Sequence, residues 1–313
     1  MDDRTEETVY VVGHKIPDTD TICSAIAYTY YLNKKDNKAI ACRTGEINPE
    51  TKYVLDYFKV EEPQMLSSAK GKKIILVDHN EKKQSPEDID EGEIVQVIDH
   101  HKINFNYDKI VSFYVEPIGA TATIIAKQFL QDTTVELSKE IAGLLLSAIL
   151  SDTVIFRSPT TTKEDVFIAH KLSEIAEIKN IEEFGLNMKK QKSSIKELPS
   201  EEIILSDFKE YEVEGKKFGC GQIEVVGLEE TLERKEELIK AIEEMSKKRE
   251  YDLLVFLATD IVKRGSEVLF WEKNNYMEKT FNKKPENNSF YLEGAMSRKK
   301  QIIPALTKTF LKK

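Results

Sequence analysis

Four of the five histidines in this 313-residue chain fall within three short acidic clusters. His14 opens the stretch Gly13-His-Lys-Ile-Pro-Asp-Thr-Asp20, where Asp18 and Asp20 follow at H-x3-D-x-D spacing. His79 lies in Asp78-His-Asn-Glu81, and His100 and His101 lie in Asp99-His-His101. Asp152, in Ser151-Asp-Thr153, adds a carboxylate from a fourth stretch, whereas His170 stands apart and reads as a surface residue of a helix. Imidazole mixed with several carboxylates suits a divalent transition ion, Mn²⁺ or Co²⁺ rather than an all-oxygen Mg²⁺ site. His14, Asp18, Asp20, Asp78, His100 and Asp152 are too many ligands for one hydrolytic ion that keeps positions open for water. They suit two. A pair of ions roughly 3.5–4 Å apart that shares a carboxylate can hold a bridging hydroxide for in-line attack on phosphorus. Taken singly, each piece has a structural reading. Pro17-Asp-Thr-Asp20 makes a turn and helix cap, His14 a satisfied strand-end residue, and Asp152 a helix-end residue, although an acid there opposes the helix dipole. Their joint placement at strand ends favours the metal reading.

The elements that must position these groups are legible. Val9–Val12, Ile74–Val77 and Glu93–Ile98 are short apolar runs, and each ends directly at a cluster. Thr21–Leu32 reads as a helix with Asp20 as its N-cap. Apolar strands alternating with helical segments predict a parallel sheet covered on both faces. Ligands of such sheets sit beyond the strands' carboxyl ends. Ser138 caps a buried helix from Lys139 to Leu150, and Thr161 with Glu164 has capping-box spacing ahead of Val166–Ile178. Lys189–Pro199 is polar, lacks strong periodicity and ends in proline, which predicts a linker. Beyond it, Ile203–Val213 and Lys217–Val226 read as a hairpin turning near Glu214-Gly215. Glu229–Lys248 reads as a helix with Leu238, Ile242 and Met245 on one face. Tyr251–Ala258 and Glu267–Trp271 read as strands, and Ser297-Arg-Lys-Lys-Gln301 opens an apolar-spaced segment that runs to Phe310. The expected organisation is a first domain over 1–188, a linker over 189–199 and a second domain over 200–313.

Composition excludes several function classes. The chain has 46 Lys and Arg against 55 Asp and Glu, a formal charge of −9, and 40% hydrophobic residues. That is the composition of a soluble globular protein, and its acidity argues against nucleic-acid binding. No apolar run approaches the length of a membrane span, and the acidic start is unlike a secretory leader. Cys23, Cys42 and Cys220 are odd in number and far apart, which excludes a disulfide frame and a zinc knuckle. A cytoplasmic enzyme is the expectation.

The pieces GHKIPDTDTICSAIAY from Gly13, VDHNE from Val77, DHH at Asp99, EPIGATAT from Glu116, SDT at Ser151 and SRKKQ at Ser297 cover nearly the whole chain in order. In these the sequence resembles the family II inorganic pyrophosphatases, the manganese-dependent branch of the DHH phosphoesterases. The resemblance implies an α/β fold of two domains, with an N-terminal parallel-sheet DHH-type domain and a smaller C-terminal DHHA2-type domain with a mixed sheet. The active site would lie in the cleft between them, with residues 189–199 as hinge. It implies one metal on His14, Asp18 and Asp78, and a second on Asp20, Asp78, His100 and Asp152, so that Asp78 bridges. Asp99, His79 and Asn80 would support the site, and His101 would face the substrate as general acid for the leaving phosphate. Lys209, Arg298 and Lys299 would bind phosphate. Two Mn²⁺ per subunit (or Co²⁺), Mg²⁺ carried by pyrophosphate, and a homodimer formed through the first domain complete the expectation. Ile16 stands where the family commonly has Asn, and no expected ligand is lost by it. The rival within the superfamily, an exopolyphosphatase or oligonucleotide phosphodiesterase, carries a glycine- and histidine-rich motif in its second domain. This chain has no histidine there and has SRKKQ instead.

Overall fold

A computed structural model describes residues 7–311; most of the acidic first residues discussed above lie outside them. The chain divides into two compact units, Met1–Lys192 and Ser193–Lys313.

In the first unit six strands, β1 (Val9–Val12), β2 (Ala39–Arg43), β3 (Gln64–Met65), β4 (Lys73–Val77), β5 (Glu93–Asp99) and β6 (Ser112–Val115), form one sheet in the order β3-β2-β1-β4-β5-β6. All five pairings are parallel. The chain therefore reverses its direction of travel across the sheet between β1 and β4, the position where open parallel sheets leave a crevice at their carboxyl ends. His14 follows β1, Asp78 follows β4, and Asp99 closes β5.

Among the described residues this unit has six α-helices: α1 (Thr19–Lys34), α2 (Pro49–Phe58), α3 (Thr121–Gln131), α4 (Lys139–Asp152), α5 (Lys163–Ile175) and α6 (Ile181–Ser193). Alternate residues of β4 point to opposite faces, as strand geometry requires. Ile75 and Val77 join the large core with the helices, while Ile74 and Leu76 join a smaller cluster with Leu66, Ile89 and Val97. The sheet is thus covered on both faces, but the six helices contribute to only one of the two cores. α4 is buried along its whole length from Ile141 to Ser151, as its densely apolar sequence predicts.

The second unit contains α7 (Ser200–Ile204), β7 (Lys209–Val213), β8 (Lys216–Val225), α8 (Glu229–Glu233), α9 (Lys235–Lys248), β9 (Leu253–Asp260), β10 (Gly265–Glu272), α10 (Tyr276–Phe281), β11 (Ser289–Glu293) and α11 (Ile303–Leu311). A turn of π-helix, Arg298–Ile302, leads into α11. The sheet order is β11-β10-β9-β8-β7, and only β8–β9 is parallel, so the sheet is mixed. Every residue of β9 is buried. Its alternate side chains pack on Leu238, Ile242 and Met245 of α9 on one side and on Leu306 and Phe310 of α11 on the other.

Local differences from the sequence reading have local causes. Asp18, not Asp20, caps α1: its backbone is extended and its carboxylate accepts from Thr21 N at 2.9 Å. The capping box before α5 is Thr162 with Asp165, one residue later than expected. Ile203 and Ile204 belong to the short helix α7, and β7 starts only at Lys209. The helix expected over 229–248 breaks at Arg234 into α8 and α9. The first residues of the expected linker continue α6 as far as Ser193.

Candidate metal centre

Gly13 makes the turn out of β1 possible. A Cβ there would lie 2.1 Å from Thr21 Cγ2, so only glycine lets the first turn of α1 approach the strand. That approach brings Thr21 Oγ1 to Asp78, where it donates to Oδ2 at 2.7 Å. Thr121, opening α3, donates to the other oxygen, Oδ1, at 3.0 Å. The buried Asp78 carboxylate is thereby held from two helices, with each oxygen facing a different imidazole. His14 Nε2 is 3.5 Å from Oδ2 and His100 Nε2 is 3.5 Å from Oδ1. Asp78 itself has φ +62°, a left-handed backbone that Asp tolerates better than most residues and that is common where a site imposes strain.

Around this carboxylate the structure gathers three groups of donors, each within 4.8 Å of one another: His14/Asp18/Asp78, Asp20/Asp78/His100/Asp152 and Asp78/His100/His101. All six residues expected as ligands fall in the first two groups, with Asp78 in both, and His101, expected to face the substrate, shares the third with Asp78 and His100. His14 Nε2 is also 3.5 Å from Asp18, and His100 Nε2 is 3.5 Å from Asp152. These separations are long for hydrogen bonds but suit neighbouring ligands of one ion, which lie roughly 3–3.5 Å apart when each is about 2.1 Å from the metal. His100 supports the same reading. Its Nδ1 donates to the carbonyl of Ile118 at 2.9 Å, which leaves the Nε2 lone pair directed at the carboxylates, and buried Nε2 has no hydrogen-bond partner. A metal ligand oriented through its other nitrogen has this arrangement. Asp20 accepts from Thr121 N, Ala122 N and Ser24 Oγ, so the amino end of α3 fixes it.

Crowding of carboxylates favours proton uptake by this cluster in the metal-free protein. Burial opposes charge on His14, but its contacts with Asp18 and Asp78 prevail and raise its pKa to about 10. Burial, then the nearby Asp78 and Asp18 carboxylates, push Asp20 well above the usual carboxylate range. Burial, then Asp20, Asp78 and Asp18, do the same to Asp152. A divalent cation works against all three of these upward shifts.

The remaining sequence-selected residues occupy distinct places. His79 is buried with Nδ1 donating to Val77 O and Nε2 accepting from Ser85 Oγ, each at 3.0 Å. Burial lowers its pKa to about 4, so it is a neutral support with both nitrogens used. Asn80 donates to Asp99 Oδ2 at 2.6 Å and accepts from Asn104 N. Asp99 Oδ1 accepts from His100 N, His101 N and His101 Nδ1. The ring of His101 is half-exposed, and its bond to Asp99 raises its pKa. Lys209 and Lys299 in the second unit are exposed, and among the described residues neither side chain has a hydrogen-bond or ion-pair partner. Arg298 differs. It is 5% exposed, donates through Nη1 to the carbonyls of Cys220 and Asp207, and pairs through Nη2 with Asp207 Oδ1 at 3.0 Å. Gln222 and Gln301 hold the backbone around it, at Arg298 N and at Met296 and Ser297 N.

Sequence reasoning missed several supporting groups. Thr21 and Thr121 stand inside the quoted motifs but carry no signal of their own. Asp165 accepts from Gly119 N at 2.9 Å and so steadies the loop whose Ile118 carbonyl orients His100. The segment after Asp152 makes a left-handed turn, with φ of +50°, +53° and +64° at Val154, Ile155 and Phe156. No glycine or asparagine announces it.

Comparison with known proteins agrees with the geometry. Residues 8–149 match the model of the DHH family, N-terminal domain, and residues 186–309 match the DHHA2 domain. The chain is 50% identical over 308 residues to a manganese-dependent inorganic pyrophosphatase of Methanocaldococcus jannaschii, covering 96% of this chain and 99% of that protein. The chain belongs to the family II inorganic pyrophosphatases. A Bacillus subtilis member, also a manganese-dependent inorganic pyrophosphatase, is 43% identical over 305 residues, 96% of this chain and 98% of its own. A solved family II structure from Methanococcus jannaschii, 49% identical, matches with a TM-score of 0.63 over 96% of this chain and 99% of that one. An exopolyphosphatase-related protein from Bacteroides fragilis, 17% identical with a TM-score of 0.53 over 98% of this chain and 93% of that one, shares the fold.

Proposed function

We propose that the chain hydrolyses inorganic pyrophosphate to two phosphates, with two Mn²⁺ ions held by His14, Asp18 and Asp78 and by Asp20, Asp78, His100 and Asp152. The observation that carries this reading is Asp78, whose two oxygens are held apart by Thr21 and Thr121 and face two different imidazoles. Ions so held supply Lewis acidity and an acidified water for attack on phosphorus. The residues do the rest. Asp99 holds the His101 ring so that Nε2 is left to give a proton to the departing phosphate. Lys209, Arg298 and Lys299 are the proposed phosphate-binding cations, needed because a chain of net charge −9 gives an anion no long-range attraction. Mg²⁺ enters with the substrate. Homodimer formation through the first unit and a cytoplasmic location belong to the same proposal. Among the described residues no helix is long and apolar enough to cross a membrane.

The deciding experiment measures phosphate release from pyrophosphate, a longer oligophosphate and a dinucleotide, each with Mn²⁺. Pyrophosphate is expected to be turned over preferentially. Preference for either of the others would replace this reading by that of the other DHH phosphoesterases.

Two further outcomes follow from the geometry. Because the pKa of His14 is raised to about 10 and those of Asp20 and Asp152 are raised above the usual carboxylate range, Mn²⁺ uptake near pH 7 should release protons, and affinity should rise with pH. Calorimetry in two buffers of different ionisation enthalpy tests this, and identical heats would contradict it. Arg298→Ala should both raise KM for pyrophosphate and lower thermal stability. The stability loss follows because the Cys220 and Asp207 carbonyls lose a charged donor, at a cost of about 1.5–3 kcal/mol. A lowered Tm with unchanged KM would leave Arg298 as a purely structural residue of the second unit.

A further inference from the structure

Glu50, in the first turn of α2, is a carboxylate only 1% exposed. It accepts from Thr19 Oγ1 at 2.9 Å and from Ser151 Oγ. Lys189 Nζ, on α6, lies 3.2 Å from its Oε2, 3.3 Å from its Oε1 and 3.1 Å from Ser151 Oγ. Thr19 stands between Asp18 and Asp20, and Ser151 precedes Asp152. One buried carboxylate therefore ties together the two backbone segments that deliver three of the candidate ligands.

We infer that Lys189 and Glu50 form a positioning pair that fixes Asp18, Asp20 and Asp152 relative to one another and thereby sets the affinity of the centre for Mn²⁺. The inference rests on the reading of these carboxylates as metal ligands.

The electrostatics require a cation here. Asp18, Asp20, Asp78 and Asp152 already crowd the same region, and a fifth, fully buried carboxylate without a partner is strongly unfavourable. Lys189 offsets it. Without the ammonium, the Glu50 carboxylate is left buried and unpaired, and any turn that relieves this loosens Thr19 and Ser151. α6 is seated so that Lys189 stays in place: Gly185, one turn earlier, packs over the left-handed turn that follows Asp152, and a Cβ at this glycine would lie 2.9 Å from Ile155 Cγ1. The same helix thus clamps Asp152 from both its preceding and its following residues. Neither Lys189 nor Glu50 belongs to the ligand groups, so the pair acts through position.

The test is Mn²⁺ binding to metal-depleted full-length protein, read from the loss of the free-ion electron paramagnetic resonance signal, alongside the thermal transition of the metal-free form. Lys189→Met keeps most of the stem and removes the charge. It should weaken Mn²⁺ binding by about 10–100-fold, the usual effect of losing a group that orients ligands. Lys189→Arg should restore most of that loss. Lys189→Met combined with Glu50→Gln should bind more tightly than Lys189→Met alone, because no unpaired charge remains. Should Lys189→Met fail to fold, the double variant and Lys189→Arg carry the comparison, the arginine variant being expected to bind the more tightly. Wild-type affinity in Lys189→Met, or a lowered thermal transition with unchanged affinity, would overturn the inference. Failure of the wild-type chain to bind Mn²⁺ would instead overturn the metal reading, and the inference with it.

Discussion

Replacing Asp78 with alanine is expected to remove activity and bound manganese together. Each Asp78 oxygen faces its own imidazole, so truncation removes one ligand from both groups at once. No other residue occurs in both the His14/Asp18 group and the Asp20/Asp152 group, although His100 also stands in the third, with Asp78 and His101. Loss of a group that merely orients a ligand costs about 10–100-fold, so loss of a shared ligand should lower turnover by on the order of 10³-fold or more. Alanine is also less suited than aspartate to the left-handed backbone at this position. Asp78→Asn separates the two effects, because asparagine tolerates that backbone and can still accept from one threonine. It should fold as well as the parent and still lose metal. Elemental analysis after gel filtration, with the manganese-induced rise in Tm as a second measure, checks both variants. Full metal content with low activity in Asp78→Asn would place the ions on the remaining ligands and remove the bridging role.

Legibility in the sequence followed the physics of each feature. Strand ends were readable because an apolar β-branched run followed by a polar cluster leaves few alternatives; β1 and β5 begin at Val9 and Glu93 as their runs do, and β4 begins one residue before Ile74. The candidate cluster was readable because imidazole and carboxylate are uncommon at strand ends unless something binds them. Helix starts were less so. Asp18 and Asp20 are both competent caps, and the choice was made by tertiary contact: Asp20 is drawn onto the amino end of α3 by Thr121 N and Ala122 N, which leaves Asp18 to cap. Lys189 looked like part of a polar linker because its partner, Glu50, is 139 residues away, and no local periodicity encodes a pair of that separation. Arg298 shows the converse. A basic run suggests either a solvated face or an open anion site, yet its guanidinium is buried against the carbonyls of Cys220 and Asp207, while Lys209 and Lys299 stay exposed.

His101→Gln is expected to leave the metals in place and slow the chemical step. The ring lies in a donor group with Asp78 and His100, but its Nδ1 is already held by Asp99 at 2.9 Å. Glutamine keeps an amide that can hydrogen-bond to phosphate but cannot give up a proton, so substrate binding should change little while kcat falls by about 10²–10⁴-fold, the usual range for loss of a general acid. The pH profile gives the sharper test. The bond to Asp99 raises the His101 pKa, and burial opposes this only in part. A raised pKa keeps the imidazolium, the form that donates, populated to higher pH. Activity that depends on it should therefore be retained at neutral pH and decline as pH rises through that pKa. Asp99 is held ionised below the usual carboxylate range: burial works against the charge, but bonds from His101 and Asn80 prevail. Asp99→Asn removes the anion while keeping an acceptor, so it should move the alkaline limb of kcat to lower pH without changing manganese content. An unmoved limb would mean that the proton for the departing phosphate comes from a group other than His101, and wild-type turnover in His101→Gln would remove this histidine from the reaction.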